Sequence, residues 1–303
     1  QVPGSVAGHV DANGTFDTDL VSFEAVQGKT YIVETEASAL GSPIDTRIDL
    51  LNDRGEPVPR VRLQSVRDSS ITFRAISSGA GGARLVNTDE MQLNDLLYMN
   101  GEVVKLFLAP RGPDSQWDFY TLNGGRRNYY DTSATAHALA DACYIVRPLA
   151  VGEHPAPNGL PVFPLYYEND DDSENSKGSD SRVTFIAPDT ATYLIRVSDT
   201  RGRQGRRFSY ALTVREARPD FNVRISPDSL TVRPGAGQSF TVTRERIDGF
   251  EGEIEIAIEN LPKGWIVSSP LVIEAGHERA TGTLFAIVGS VEPDEDAWKS
   301  VRV

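Results

Sequence analysis

Strict alternation of apolar with polar or small residues is the feature that most constrains the fold of this chain. Tyr210, Leu212 and Val214 are separated by single small residues, and isoleucines alternate with glutamate or alanine over residues 253–259. A period of two places one side of an extended segment in a core and the other side in water, which is typical of half-buried antiparallel strands. We therefore predict an all-β protein built from β-sandwiches.

Turn signals recur at short spacing between the alternating segments. Asn-Gly pairs occupy residues 13–14, 100–101, 123–124 and 158–159. A type I′ turn needs positive φ at both central residues, which Asn and Gly tolerate. Asn100-Gly101 therefore predicts a β-hairpin. The competing interpretation is a short helix over residues 89–99, entered through Asn87.

Composition excludes several classes of partner. The 303 residues suggest about two domains. The net charge of −13 repels phosphate backbones, so neither nucleic acid nor an anionic membrane is expected as a main partner. No apolar run approaches the ~18 residues that a membrane-spanning helix needs, so no membrane insertion is expected. The single cysteine, Cys143, excludes an internal disulfide.

Several segments resemble the bacterial pre-peptidase C-terminal (PPC) domain. They are DTDLVSFEA (17–25), IDLLNDRG (48–55), DSRVTFIAP (180–188), TYLIRV (192–197) and YALTV (210–214). PPC domains are compact β-sandwiches, so the resemblance implies a jelly-roll-like β-sandwich in which these segments share one core. The residues expected in that core are Phe23, Tyr31, Leu50, Phe185, Tyr193, Ile195, Tyr210 and Leu212.

A long insertion, from about Pro59 to Pro164, separates the two halves of this resemblance. It contains strand-like segments of its own, so we expect a β-rich lobe on the sandwich. Parts of the whole arrangement, including residues 160–172, look like secreted proteins of planctomycete bacteria.

A domain boundary is predicted near residues 215–219, where charged residues and a proline follow a strand. The chain beyond it resembles the immunoglobulin-like β-sandwich modules of bacterial secreted and surface proteins. We predict a PPC-like domain over residues 1–217 and an immunoglobulin-like domain over residues 218–303, cut off at its C-terminus. We expect a mature or excised segment of a longer secreted or cell-surface protein, with neighbouring domains as partners.

An acidic run predicts a calcium site. The residues are Asp170, Asp171, Asp172, Glu174 and Asp180. Adjacent carboxylates repel one another unless a cation neutralises them, and Ca²⁺ takes six to eight oxygen ligands from a flexible loop. The alternative is a solvated loop that pairs with nearby arginines. Zinc-ligand residue types also occur between His137 and His154, but their spacing matches no compact tetrahedral site. The apolar neighbours of His137 instead predict a buried, hydrogen-bonded histidine, and Cys143 is interpreted as a small core residue.

Neighbouring tyrosines predict a ligand-binding surface. They are Tyr129, Tyr130, Tyr166 and Tyr167. Exposed tyrosine offers a large contact area with little side-chain entropy to lose. The PPC resemblance implies a parallel, because some PPC domains of collagenases bind collagen through tyrosine-bearing faces. The alternative is that these rings pack between the insertion and the sandwich.

Catalytic motifs do not identify an enzyme. The sequence has no Gly-x-Ser-x-Gly elbow, no His-Glu-x-x-His, no phosphate-binding loop and no Rossmann glycine pattern. We predict a non-catalytic module that binds an extracellular polysaccharide or matrix protein, or positions a neighbouring domain. The alternatives are a carboxylate-dependent hydrolase with its site in the insertion, and a purely structural stalk.

Overall fold

A computed structural model describes residues 2–11, 18–112, 114–173 and 180–290. Within these ranges the chain forms antiparallel strands, two single-turn 3-10 helices (Ser38–Leu40 and Thr88–Glu90) and no α-helix, which confirms the all-β prediction. Within the same ranges, no helical segment is long and apolar enough to span a bilayer. The chain divides into two compact units, Gln1–Ala217 and Arg218–Val303.

The first unit contains a sandwich of two antiparallel four-stranded sheets, with strands numbered in chain order. The first sheet has the order β1-β17-β3-β15 and the second has the order β14-β4-β16-β2. The bounds of these strands are β1 Gly4–His9, β2 Asp19–Ala25, β3 Thr30–Glu36, β4 Thr46–Leu51, β14 Glu168–Asn169, β15 Arg182–Ile186, β16 Ala191–Asp199 and β17 Ser209–Glu216.

The sandwich core confirms the predicted set of core residues. Every residue expected from the sequence lies in one buried cluster to which both sheets contribute. Phe23 is paired with Tyr193 across β2 and β16, and Phe185 is paired with Tyr31 across β15 and β3. The Phe185 ring lies 4.8 Å from that of Tyr193 and 6.0 Å from that of Phe23, centroid to centroid. These aromatic contacts join the halves of the chain that the insertion separates.

Residues 59–166 form a lobe, here called the inserted lobe, around a seven-stranded antiparallel sheet. The strand order is β13-β5-β12-β7-β8-β9-β6, and β10 and β11 form a separate hairpin. The bounds are β5 Pro59–Ser70, β6 Gly82–Ala83, β7 Leu96–Met99, β8 Glu102–Leu108, β9 Trp117–Phe119, β10 Thr121–Leu122, β11 Gly125–Arg126, β12 Ala142–Pro148 and β13 Val162–Tyr166.

Both faces of the lobe sheet are covered by apolar side chains, because alternate residues of β7 pack into two different apolar clusters. Leu97 and Met99 belong to one buried cluster, whereas Leu96 and Tyr98 pack against another. The turn between β7 and β8 confirms the predicted hairpin and excludes the helix over residues 89–99. Asn100 and Gly101 both have positive φ, at 43° and 96°.

The second unit has one four-stranded sheet, ordered β18-β19-β23-β21, and one two-stranded sheet, β20-β22. The bounds are β18 Asp220–Ser226, β19 Ala236–Ile247, β20 Ile254–Ile256, β21 Trp265–Val267, β22 Leu271–Ile273 and β23 Arg279–Ala286. Phe240, Val242, Ile254 and Ile273 lie in its buried core, to which both sheets contribute. The resemblance to immunoglobulin-like modules stays a prediction.

Alanine substitutions at two neighbouring residues of β15 test the sandwich core. Phe185 is fully buried, so Phe185→Ala should lower the free energy of unfolding by about 3–5 kcal/mol through lost burial and cavity formation. Ile186 is 50% exposed, so Ile186→Ala should change it by only about 0.5 kcal/mol. Urea unfolding of both variants measures the difference. Equal effects at the two positions would contradict the core described here.

Candidate functional site

A cleft of about 610 Å³ opens on the inserted lobe between residues 73–84 and residues 108–118. A smaller cavity of about 350 Å³ shares Phe73, Arg84 and Ser115 with it. The walls approach closely because β6 pairs with β9, and a Cβ atom at Gly82 would overlap the carbonyl oxygen of Trp117. Glycine at this position therefore brings the two walls of the cleft together.

Phe73 stands at this cleft in an unusual conformation. The residue is 68% exposed and its φ is 69°, in the left-handed region that bulky residues avoid. A non-glycine residue there costs roughly 1–3 kcal/mol, which the surrounding structure must offset. The guanidinium carbon of Arg84 lies 4.4 Å from the centroid of the Phe73 ring. An exposed phenylalanine with a strained backbone conformation is therefore held beside a cation.

Arg84 is itself fixed by neighbours on the opposite wall. Its Nε donates to the carbonyl oxygen of Ser115 at 3.2 Å, and its Nη2 donates to Asp114 Oδ1 at 3.3 Å. Asp118, also in the cleft, accepts a hydrogen bond from Gln116 Nε2 at 3.1 Å. The cleft thus combines apolar, cationic and carboxylate groups, with one cation positioned by contacts to both walls.

A buried ionic cluster lies inside the same lobe. Glu102 receives hydrogen bonds from Arg126 Nη2 at 2.8 Å, from Asn128 Nδ2 at 2.7 Å and from the backbone N–H of Thr135 at 3.1 Å. His137 Nε2 lies 2.7 Å from Glu102 Oε2. The side chains of Glu102, Arg126 and His137 have no solvent exposure, so a substrate cannot reach them.

This cluster also positions the wall of the cleft. Arg126 Nη1 donates to the carbonyl oxygens of Ser77 at 2.8 Å and Ala80 at 3.1 Å. The backbones of Ile76 and His137 exchange two hydrogen bonds, at 3.0 and 2.9 Å. The loop that carries Phe73 is therefore anchored to the buried carboxylate through Arg126 and His137.

Two opposing effects act on the Glu102 carboxyl. Burial raises its pKa, but hydrogen bonds from His137 and Arg126 and the charge of Arg126 outweigh burial and hold the pKa below its usual range. Glu102 is thus ionised at neutral pH and can only accept hydrogen bonds, so His137 Nε2 donates to it. His137 Nδ1 is buried and has no hydrogen-bond partner among the residues that the structure describes.

A second set of contacts fixes the lobe to the sandwich. Asp131 accepts hydrogen bonds from the backbone N–H of Thr184 at 2.8 Å and from Ser173 Oγ at 3.2 Å, and it forms an ion pair with Arg60. The Arg60 guanidinium lies 5.1 Å from the Tyr167 ring centroid and 5.9 Å from that of Tyr130. The hydrogen bond from Thr184 therefore joins the inserted lobe to β15, and the contact between Arg60 and Tyr167 joins it to the sandwich core.

The tyrosines predicted to bind a ligand have different environments. Tyr167 is buried in the sandwich core, and its hydroxyl donates to the carbonyl oxygen of Ile186 at 3.2 Å. Tyr129 and Tyr130 are half-buried in the lobe, and Tyr166 lies exposed on β13. The four rings therefore do not form one exposed surface. Packing between lobe and sandwich, the alternative considered above, describes Tyr167, which lies in the sandwich core and contacts Arg60 of the lobe.

The carboxylates predicted to bind calcium have partners in the fold. Asp180 accepts hydrogen bonds from the backbone N–H groups of Ala37 and Ser38, both at 3.0 Å, and so caps the first 3-10 helix. Asp170 accepts a hydrogen bond from Ser133 Oγ at 2.8 Å. Asp172 is buried, with its Oδ1 3.9 Å from Arg182 Nη1.

Repulsion among the carboxylates of this loop affects the pKa of Asp171. Burial and the charges of Asp170, Asp45 and Asp172 raise the pKa of Asp171 to about 6. Glu174, the remaining predicted ligand, lies outside the described residues. Within the described residues, no group of three or more histidine, cysteine or carboxylate side chains is arranged to hold a metal ion. Calcium in this loop stays a prediction.

Two interpretations of residues that could ligate zinc are confirmed. Cys143 is a buried core residue, and burial raises the pKa of its thiol to about 11. The thiol is therefore protonated at neutral pH, as expected of a core residue. His137 is the buried, hydrogen-bonded histidine that its apolar neighbours predict.

Sequence reasoning missed the residues of the cleft. Phe73-Arg74 and Arg111 match no motif, and positive φ at a phenylalanine has no signal in the sequence. Arg126, which precedes Tyr129 and Tyr130 in the sequence, is buried. A glycine-rich stretch, residues 79–82, follows Phe73 closely and is the signal that could have drawn attention to this loop.

The raised pKa of Asp171 predicts a pH-dependent stability. Between pH 4 and about 6 the folded chain holds a proton that the unfolded chain has lost, so stability falls as pH rises through this window. Asp171→Asn should therefore raise Tm at pH 7.5, with the gain shrinking toward pH 4. Asp53→Asn, the same charge change in an exposed turn, is the control. A lower Tm for Asp171→Asn at pH 7.5 would contradict this assignment.

The same variants test calcium. Several millimolar CaCl₂ should raise the Tm of the wild-type chain and of Asp53→Asn, because a bound cation relieves the repulsion. Asp171→Asn should show a smaller rise. Asp172 and Asp180 are unsuitable for substitution, since both have partners in the fold. An unchanged Tm for the wild-type chain in calcium would contradict the predicted site.

Comparisons of this chain with protein-family models, with curated proteins and with solved structures found no match. The relation to PPC domains and to secreted planctomycete proteins, drawn from sequence segments, therefore stays a prediction.

Proposed function

We propose that this chain is a non-catalytic binding module of a secreted or cell-surface bacterial protein, and that it binds its ligand at the cleft of the inserted lobe. The observation that carries the proposal is Phe73, a residue that is 68% exposed and has a strained backbone conformation. Backbone strain is retained where the surrounding structure enforces it, and it clusters at ligand-binding positions.

The composition of the cleft supports binding of an extended extracellular molecule. Phe73, Ile76 and Leu108 supply apolar surface, and Arg74 and Arg111 supply polar contacts. Binding sites commonly combine an apolar lining with a few polar groups that orient the ligand. An aromatic side chain provides contact area with only two torsion angles to restrict.

The hydrolase alternative lacks a comparable observation. A general acid or base must come within hydrogen-bond reach of the group it protonates. Glu102 and His137 have no solvent exposure and hold the lobe together. In the cleft, Asp114 is paired with Arg84 and Asp118 accepts a hydrogen bond from Gln116. These contacts favour structural roles for the carboxylates.

An array of extracellular polysaccharides and matrix proteins, probed with the purified chain, tests the proposal. We expect the wild-type chain to bind at least one component and to leave a bound polymer at its original length. Phe73→Gly should abolish binding without unfolding the lobe, because glycine adopts positive φ without strain.

Phe285→Ala is the matched control, since it removes another exposed aromatic ring, on β23 of the second unit and outside the lining of the cleft. It should retain wild-type binding. Binding that survives Phe73→Gly would place the ligand elsewhere, and cleavage of a bound polymer would support the hydrolase.

A further inference from the structure

We propose that the cleft of the inserted lobe selects an acidic polysaccharide, a sugar chain that carries carboxylate or sulfate groups. This inference rests on the proposed function and names the ligand class of the same site. It assigns the recognition of the anionic groups to Arg74 and Arg111, and the packing of a sugar ring to Phe73.

The arginines of the cleft divide into two roles. Arg84 is half-buried and is directed by Asp114, Ser115 and the Phe73 ring, so it is a positioning residue. Arg74 and Arg111 are exposed. Neither side chain forms an ion pair or a hydrogen bond with the residues described in the structure. Their donors are therefore available to a ligand.

Guanidinium groups suit carboxylate and sulfate oxygens in particular. The planar fork of N–H donors can form two parallel hydrogen bonds to such a group, and charge-assisted bonds are stronger than neutral ones. The exposed ring of Phe73 beside them provides a flat apolar surface for the C–H face of a pyranose. A polymer of acidic sugars supplies both features in one repeating unit.

The acidic charge of the whole chain does not prevent this. The lining holds the guanidinium groups of Arg74, Arg84 and Arg111 against the carboxylates of Asp114 and Asp118, a local excess of cations in a chain of net charge −13. Charges farther away than a Debye length, about 8 Å at physiological ionic strength, are largely screened. The local excess therefore favours contact with an anionic sugar.

Binding to three soluble polymers tests the proposal. Polygalacturonate carries carboxylates, dextran sulfate carries sulfates, and dextran is neutral. We expect the full chain to bind at least one acidic polymer and not dextran, which also identifies the anionic group. Arg74→Gln and Arg111→Gln should each weaken this binding by about tenfold or more, the contribution expected of a hydrogen bond to a charged group.

Arg54→Gln is the matched control, because it removes the same charge from an exposed turn of the sandwich. It should keep wild-type affinity. Equal loss from Arg54→Gln would show unspecific charge attraction and overturn the proposal. Binding to dextran or to a matrix protein that needs Phe73 but neither Arg74 nor Arg111 would overturn it while leaving the proposed function intact. Failure of the wild-type chain to bind any polymer or matrix protein would overturn both.

Discussion

The buried ion pair between Glu102 and Arg126 is the interaction on which the inserted lobe depends. Two charges removed from water are tolerated only when their hydrogen bonds are satisfied, and here they are shared with backbone carbonyls, Asn128 and His137. Breaking such a pair by removing one partner costs about 3–5 kcal/mol. Because Arg126 also holds the carbonyl of Ser77, the pair sets the path of the loop that carries Phe73.

Attachment of the lobe to the sandwich bears on the proposed binding site. Asp131 joins the lobe to β15 through the backbone N–H of Thr184, and Arg60 joins it to the sandwich core through the ring of Tyr167. A binding surface that is already ordered loses less conformational entropy when a ligand arrives. The strained Phe73 and the anchored Arg84 therefore suit a site that is formed before its ligand binds.

Local sequence patterns predicted the parts of the structure that depend on residues close together in the sequence. Alternation revealed the half-buried strands, and Asn100-Gly101 revealed its hairpin through its positive φ values. The cleft depends instead on partners distant in sequence, since Arg126 bonds to Glu102 and Ser77, which lie 24 and 49 residues away. The role of Asp180 as a cap for Ser38, 142 residues away, was hidden for the same reason.

Hydrogen exchange on the wild-type chain and on Glu102→Gln tests most directly whether the buried pair holds the cleft wall. The amides of Ile76 and His137, which bond to each other's carbonyl oxygens, should exchange slowly in the wild-type chain. In Glu102→Gln they should exchange much faster, while the amides of β3 and β16 in the sandwich keep their protection. Equal protection of Ile76 and His137 in the two proteins would contradict the account.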